Sequence, residues 1–117
     1  MITSRQLQDT NIAEVSVEGP VSAEDYESLR STVEHMLRVH EQINLLMTIE
    51  SIDEMTPQAM WEDLKMAEFL ERFERMAMVG DQDWLEGLMK TADPVLNAEL
   101  HAFEPEQREV ALQWLSA

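Results

Sequence analysis

The chain has 117 residues, 44% of them hydrophobic and 27% charged, which fits one ordinary folded domain and argues against disorder. Against 24 Asp and Glu there are 8 Lys and Arg, a formal net charge of −16. A phosphate backbone is repelled by that field, so nucleic acid is not an expected partner, and electrostatic docking onto anionic lipid is disfavoured. With no Cys, disulfides, thiolate catalysis, zinc fingers and iron–sulfur clusters are excluded together.

Met1 to Thr10 carries one Arg and no apolar run, so no targeting segment is expected there. No apolar run in the chain nears the roughly 20 residues of a membrane span. The expectation is a cytoplasmic protein. Met1 to Leu7 offers a short first strand, with Gln8 to Asn11 as its turn. Ile12 to Glu18 alternates, with Ala13, Val15 and Val17 on one face and Glu14, Ser16 and Glu18 on the other. One face of this strand should meet water. Gly19-Pro20 ends it.

Ser22 is placed as an N-cap, with Asp25 three residues on where a capping-box acid sits. Tyr26, Leu29, Val33, Met36, Leu37 and His40 then repeat at helical spacing, so a helix is expected from Ser22 to about His40. Ile43 to Ile49 is nearly continuous in apolar residues and reads as a central strand buried on both faces. Thr56-Pro57 starts a second helix, because Pro at the first position gives up an N–H that had no partner. Its periodicity runs to about Phe73.

Arg75 to Val79 is the next buried strand, closed by Gly80-Asp81. A short helix follows from about Gln82 to Thr91, and Asp93-Pro94 breaks it. Ala98 to Phe103 is a further strand. Pro105 opens the last helix, which should carry Val110, Ala111, Trp114 and Leu115 inward. The order β, β, α, β, α, β, α, β, α implies parallel pairing with right-handed crossovers. No linker or internal repeat divides the chain, so residues 1–117 form a single α/β domain.

Several segments together resemble the SpoIIAA-like family, also called STAS-like or STAS/SEC14-domain proteins. They are Thr56-Pro57, Trp61-Glu62-Asp63-Leu64-Lys65, Arg75-Met76-Ala77-Met78-Val79-Gly80-Asp81 and Trp84. The helix entry Ser22-Ala23-Glu24-Asp25-Tyr26 agrees, as do Asp93-Pro94, Phe103 and Ala111-Leu112-Gln113-Trp114-Leu115. The resemblance implies a β/α superhelix: a mixed, mostly parallel sheet of about five strands and about four helices, the helices packed mainly on one side. It also implies a non-enzymatic module that binds a lipid or small ligand, with possible membrane association. Anti-sigma-factor antagonists in the broader family are phosphorylated on Ser in an Asp-Ser-Ser-Gly-like loop before the second helix. Here that region reads Asp53-Glu54-Met55-Thr56-Pro57. The Ser-Gly pair is missing, and a phosphate on Thr56 would meet like charge.

The residues offer no catalytic constellation of their own. His35 and His40 lie roughly 140° apart on a helix and do not share a face. His40 suits a helix C-terminus, and His101 suits a sheet face. The three Gly are scattered, so no phosphate loop exists. Asp81-Gln82-Asp83 lacks the spacing of a calcium loop and reads as helix capping. No cofactor or metal is expected.

The informative segment is the helix from Pro57 to Phe73. At ~100° per residue, Met60, Leu64, Ala67 and Leu70 form one face, and Ala59, Met66, Phe69 and Phe73 an adjoining one. Together they span about 220°, beyond the ~100° that a surface helix needs. Trp61 lies further round still. Something must cover the second face. The candidates are the short Trp84 helix, a second subunit, a hydrophobic ligand or a bilayer surface. The nine Met residues fit either a plastic core or an adaptable apolar pocket.

The candidate ligand-binding residues are therefore Met60, Trp61, Leu64, Lys65, Met66, Phe69, Phe73, Trp84 and Leu88. They would hold a small hydrophobic or lipid-like molecule under a mobile helix, its acidic head near Lys65. Arg75 is a second candidate for that head. Lys65 and Arg75 equally have Glu68, Glu71 and Glu74 as surface partners. The alternative is a homodimerising interaction domain that uses the same apolar arc. Membrane contact, if any, would be peripheral.

Overall fold

The computed structural model describes residues 1–7, 10–18, 22–50, 72–90 and 99–117; the rest of the chain, and the side chains at positions 82, 84, 88 and 89, lie outside that description. The strands are β1 (Ile2–Gln6), β2 (Ile12–Glu18), β3 (Ile43–Glu50), β4 (Phe73–Val79) and β5 (Glu99–Phe103). The helices are α1 (Ala23–Leu37), α2 (Gln82–Lys90) and α3 (Arg108–Ser116), the last preceded by a 3-10 turn at Pro105–Gln107. The five strands form one sheet in chain order. β1 runs antiparallel to β2, and the other three pairings are parallel. Parallel neighbours require crossover connections, as the alternation of strands and helices predicts.

Period-two alternation gives the sheet two distinct faces. On one, Ala13, Val15 and Val17 of β2 meet Leu45 and Met47 of β3 and Met76 and Met78 of β4. α1 covers them with Leu29, Val33 and Met36, all buried, and α2 adds Leu85. Each such side chain contributes roughly 1.5–3 kcal/mol of transfer free energy. On the other face, Ala111 and Leu115 of α3 close over Ile12, Leu46, Ala77 and Val79. Thus two of the described helices share one face, and the C-terminal helix takes the opposite one.

α1 begins as its sequence dictates. The Asp25 N–H donates to Ser22 Oγ at 3.3 Å, and the Ser22 N–H donates to Asp25 Oδ2 at 2.9 Å. On the side of β2 expected to meet water, Ser16 and Glu18 are exposed, Glu14 is half-buried, and Ile12 on that same side is covered by α3.

Three expectations need correction. Phe73 does not end a helix; it opens β4, pairs with Ile43 and is 3% exposed within the core. The helical spacing from Phe69 to Phe73 is coincidental, because Arg72 already pins the start of β4. Its Nε donates to the Glu41 carbonyl at 2.6 Å and its Nη2 to the His40 carbonyl at 3.4 Å. Val110 does not point inward and is 49% exposed. It lies ~100° round from buried Ala111, and unlike Trp114 it is too short to reach back to the sheet. Pro105 opens a 3-10 turn rather than the α-helix itself, which starts at Arg108. The predicted helix 57–73 otherwise falls outside the described residues, so three α-helices are described against about four expected.

Asn44 is the one buried polar residue of the described core, 5% exposed in an otherwise apolar strand. Ile43 pairs with Phe73 and Leu45 with Met76, so Glu74 and Arg75 together lie opposite Asn44. This is a β-bulge, which leaves a backbone group out of the ladder. Asn44 Oδ1 accepts the displaced Arg75 N–H at 3.0 Å, and Asn44 Nδ2 donates to the Leu115 carbonyl at 2.8 Å. The carbonyls at the end of α3 have no partners within the helix. Arg75 serves two more of them, donating from Nη1 to Trp114 O at 2.6 Å and to Ala117 O at 3.1 Å.

Asn44→Ala should lower the unfolding free energy by about 2–3 kcal/mol, because it strands both a buried N–H and a buried carbonyl. Asn44→Asp should restore only the Arg75 bond, since a carboxylate cannot donate to Leu115. Urea titration checks both. Equal stability of the alanine variant and the wild type would refute the role assigned to Asn44.

Candidate functional site

The site expected from sequence is placed only in part. Met60, Trp61, Leu64, Lys65, Met66 and Phe69 lie outside the described residues. Trp84 and Leu88 stand one turn apart on the backbone of α2, and their side chains also lie outside the description. Phe73 is described, and it belongs to the core beside Ile43.

The frame around that site is better defined. Parallel strands favour ligands at their carboxyl ends. At those ends Glu18, Glu50, Asp81 and Glu104 are exposed. Gly80 joins β4 to α2 through a close backbone approach. A Cβ on Gly80 would sit 2.8 Å from the Ile49 carbonyl oxygen, closer than side chains pack. The Asp81 carbonyl accepts the Leu85 N–H at 2.9 Å, which places Asp81 at the start of α2. Among the described residues, no group of three or more His, Asp or Glu is arranged to hold a metal ion.

The two arginines at the start of β4 are occupied with structure. Arg72 caps the connection after α1, and Arg75 caps α3 with its guanidinium 5.4 Å from the centre of the Trp114 ring. Arg75 is thus engaged at the end of α3, while Glu68 and Glu71, two of its possible partners by sequence, lie outside the described residues. On the same face of the sheet, Trp114 also packs against His101 at 4.5 Å and Phe103 at 6.0 Å. His101 is thus the sheet-face residue that its alternation with Leu100 and Ala102 implies.

Arg5 and Arg108 converge on Glu14. Arg5 bonds Oε1 from Nε at 2.9 Å and from Nη2 at 2.7 Å, and Arg108 Nη2 bonds Oε2. This ties β1 and α3 to β2. Partial burial pushes the Glu14 carboxyl up, but the bonds and charges of Arg108 and Arg5 together outweigh it and hold the group below the usual range. Asp25 is also held low, chiefly by the Ser22 backbone N–H. Sequence gave no signal for the Glu14 cluster, because Arg5, Glu14 and Arg108 are far apart along the chain. Asn44 did carry a signal, as the polar interruption of the run Ile43 to Ile49.

The SpoIIAA-like family model matches residues 12–116, nearly the whole chain. The chain belongs to the SpoIIAA-like family. A crystal structure of an uncharacterised protein from Shewanella loihica PV-4, of the DUF3478 family with a SpoIIAA-like fold, is similar throughout. The two are 27% identical with a TM-score of 0.72, covering 98% of this chain and 92% of that one. No match was found among functionally curated proteins. The SpoIIAA-like fold supports a non-enzymatic, STAS-like domain. No helix among the described residues is long and apolar enough to cross a membrane.

The Glu14 cluster should be acid-sensitive. Its carboxyl has a lower pKa folded than unfolded, so its stabilisation is fully present above the ordinary glutamate value of ~4.3. It is lost as the pH falls through the folded-state value. The stability gap between wild type and Glu14→Gln should therefore be full at neutral pH and close in acid. Urea midpoints across pH 2.5–7, roughly spanning that window, measure it. A gap that does not change with pH would contradict the assignment.

Proposed function

We propose that this SpoIIAA-like domain is a non-enzymatic binding module that holds a small hydrophobic or lipid-like ligand under the amphipathic segment 57–73. The observation that carries the reading is the width of that segment's apolar arc. Phe73 now belongs to β4, yet Met60, Leu64, Ala67 and Leu70 still form one stripe, and Ala59, Met66 and Phe69 a second. One stripe suffices to dock a helix on a sheet. The second fits an amphipathic molecule, with Trp61, Trp84 and Leu88 as further contacts.

The allocation of charge supports Lys65 as the head-group partner. Arg5, Arg72, Arg75 and Arg108 are committed to Glu14 or to backbone carbonyls, and Arg30 pairs with Glu34. Of the two basic residues in segment 57–73, Lys65 and Arg72, Arg72 is already bound to the Glu41 and His40 carbonyls, which leaves Lys65 as the candidate. A carboxylate there makes a charge-assisted hydrogen bond. The same segment would let the protein meet a bilayer peripherally, by hydrophobic insertion rather than by charge attraction.

The test is uptake of a fluorescent fatty acid by delipidated protein. Saturable binding is expected, weakened roughly tenfold by Lys65→Glu. Absence of uptake by a folded, delipidated chain would overturn the reading. Sedimentation of the same sample shows whether the arc is instead closed by a second subunit.

A further inference from the structure

β1 lies at the edge of the sheet, and its backbone groups divide by parity. The Leu7 N–H bonds the Ile12 carbonyl at 2.9 Å, and the Glu18 N–H bonds the Met1 carbonyl at 2.8 Å. With Ile2 opposite Val17 and Gln6 opposite Ala13, odd-numbered residues turn their N–H and C=O toward β2. Even-numbered residues turn theirs away from the sheet. The Ile2 N–H is taken by the Asp25 carboxylate at the start of α1. The backbone groups of Ser4 and Gln6 have no partner among the described residues. They present two outward donors and two outward acceptors, spaced as a strand requires.

Beside them an open groove of about 340 Å³ separates β1 from α1, lined by Arg5, Gln6, Ser31, Thr32, His35 and Met36. Buried Met36 gives it an apolar floor. Thr32 Oγ1 donates to the Ser28 carbonyl at 3.2 Å and so accepts from Ser4 Oγ at 2.9 Å, which fixes α1 against β1. Arg5 borders the groove, but its guanidinium lies on the other face of the strand. It reaches Glu14 through Nε and Nη2, and its side chain remains 68% exposed. Its Nη1 donors make no bond among the described residues.

We propose that the β1 edge accepts an extended peptide segment of another protein as a sixth strand, one that sets an acidic side chain against Arg5. The outward groups of Ser4 and Gln6 pair with the peptide backbone. Side chains on its inner face lie over the groove, and the acid lies opposite Arg5 on the outer face. The net charge of −16 opposes an acidic peptide at long range, but at this edge two arginines meet one glutamate, and close charges outweigh the screened distant ones. A second copy of this chain fits poorly. Antiparallel pairing of Ser4 with Gln6 of the copy would set Arg5 against Arg5. Pairing Ser4 with Ser4 would direct Gln6 to Ile2, whose N–H is already bound. This surface is separate from the segment 57–73, so the proposal stands or falls independently of the ligand reading.

The test uses the full chain labelled with ¹⁵N and the peptide acetyl-Thr-Val-Glu-Val-Thr-amide, followed by amide shifts and hydrogen exchange. The amides of Ser4 and Gln6 should shift and exchange more slowly. A peptide with Lys in place of Glu should bind about fivefold or more weakly. A peptide N-methylated at both Val residues, which keeps the side chains but loses its donors, should lose binding about tenfold. Gln6→Pro should weaken the Glu peptide similarly with the other amide signals in place, because the Gln6 N–H faces away from β2. Four results would overturn the proposal. They are no change at Ser4 and Gln6 at millimolar peptide, equal binding of the Glu and Lys peptides, no effect of N-methylation, and protection of these amides that rises with protein concentration alone.

Discussion

A buried amide joins the irregular centre of the sheet to the C-terminal helix. Asn44 sits in the central strand where β4 carries one residue too many. Its carbonyl oxygen accepts the N–H that the bulge displaces, and its amide donates to the end of α3. A buried polar group is costly unless every bond is made, and here both ends are satisfied. No buried side-chain nitrogen or oxygen among the described residues lacks a partner. By alternation Arg75 shares the α3 side of β4 with Ala77 and Val79, and its guanidinium caps two carbonyls and lies against the Trp114 ring. Asn44 thus links the irregularity in strand pairing to the end of the helix that packs on this sheet face.

This arrangement shapes what the protein can do. In a chain with 8 basic residues, four arginines are used to fasten elements to one another. Arg72 fixes the start of β4, Arg75 fixes the end of α3, and Arg5 and Arg108 meet at Glu14. Few cations remain for an anionic ligand, which concentrates attention on Lys65. The SpoIIAA-like fold supplies a rigid sheet with α1 and α2 on one face and α3 on the other. Function then falls to what is attached to that frame rather than to the frame's own chemistry.

The sheet was legible in the sequence because its signals are local. Alternation in Ile12 to Glu18 gave the two faces of β2, and the apolar run from Ile43 gave the central strand. Ser22 and Asp25 gave the start of α1 through a capping box that spans four residues. Phe73 was misplaced because a residue four positions after Phe69 satisfies helical spacing whether or not a helix continues. Only its partner Ile43, thirty residues earlier, decides the matter. Arg75 was noted as a rare cation, but the carbonyls it serves lie at the other end of the chain. Of the nine candidate ligand contacts, the structure describes the side chain of Phe73 alone and assigns it to the core. The amphipathic segment therefore rests on its pattern of residues.

The most direct measurement is native mass spectrometry of the protein purified without detergent. The account predicts a species heavier than the 13.5 kDa chain by the mass of one small amphipathic molecule, which is lost on denaturation. A bare chain at that mass, or a bare dimer, from protein that still takes up no added fatty acid would contradict it.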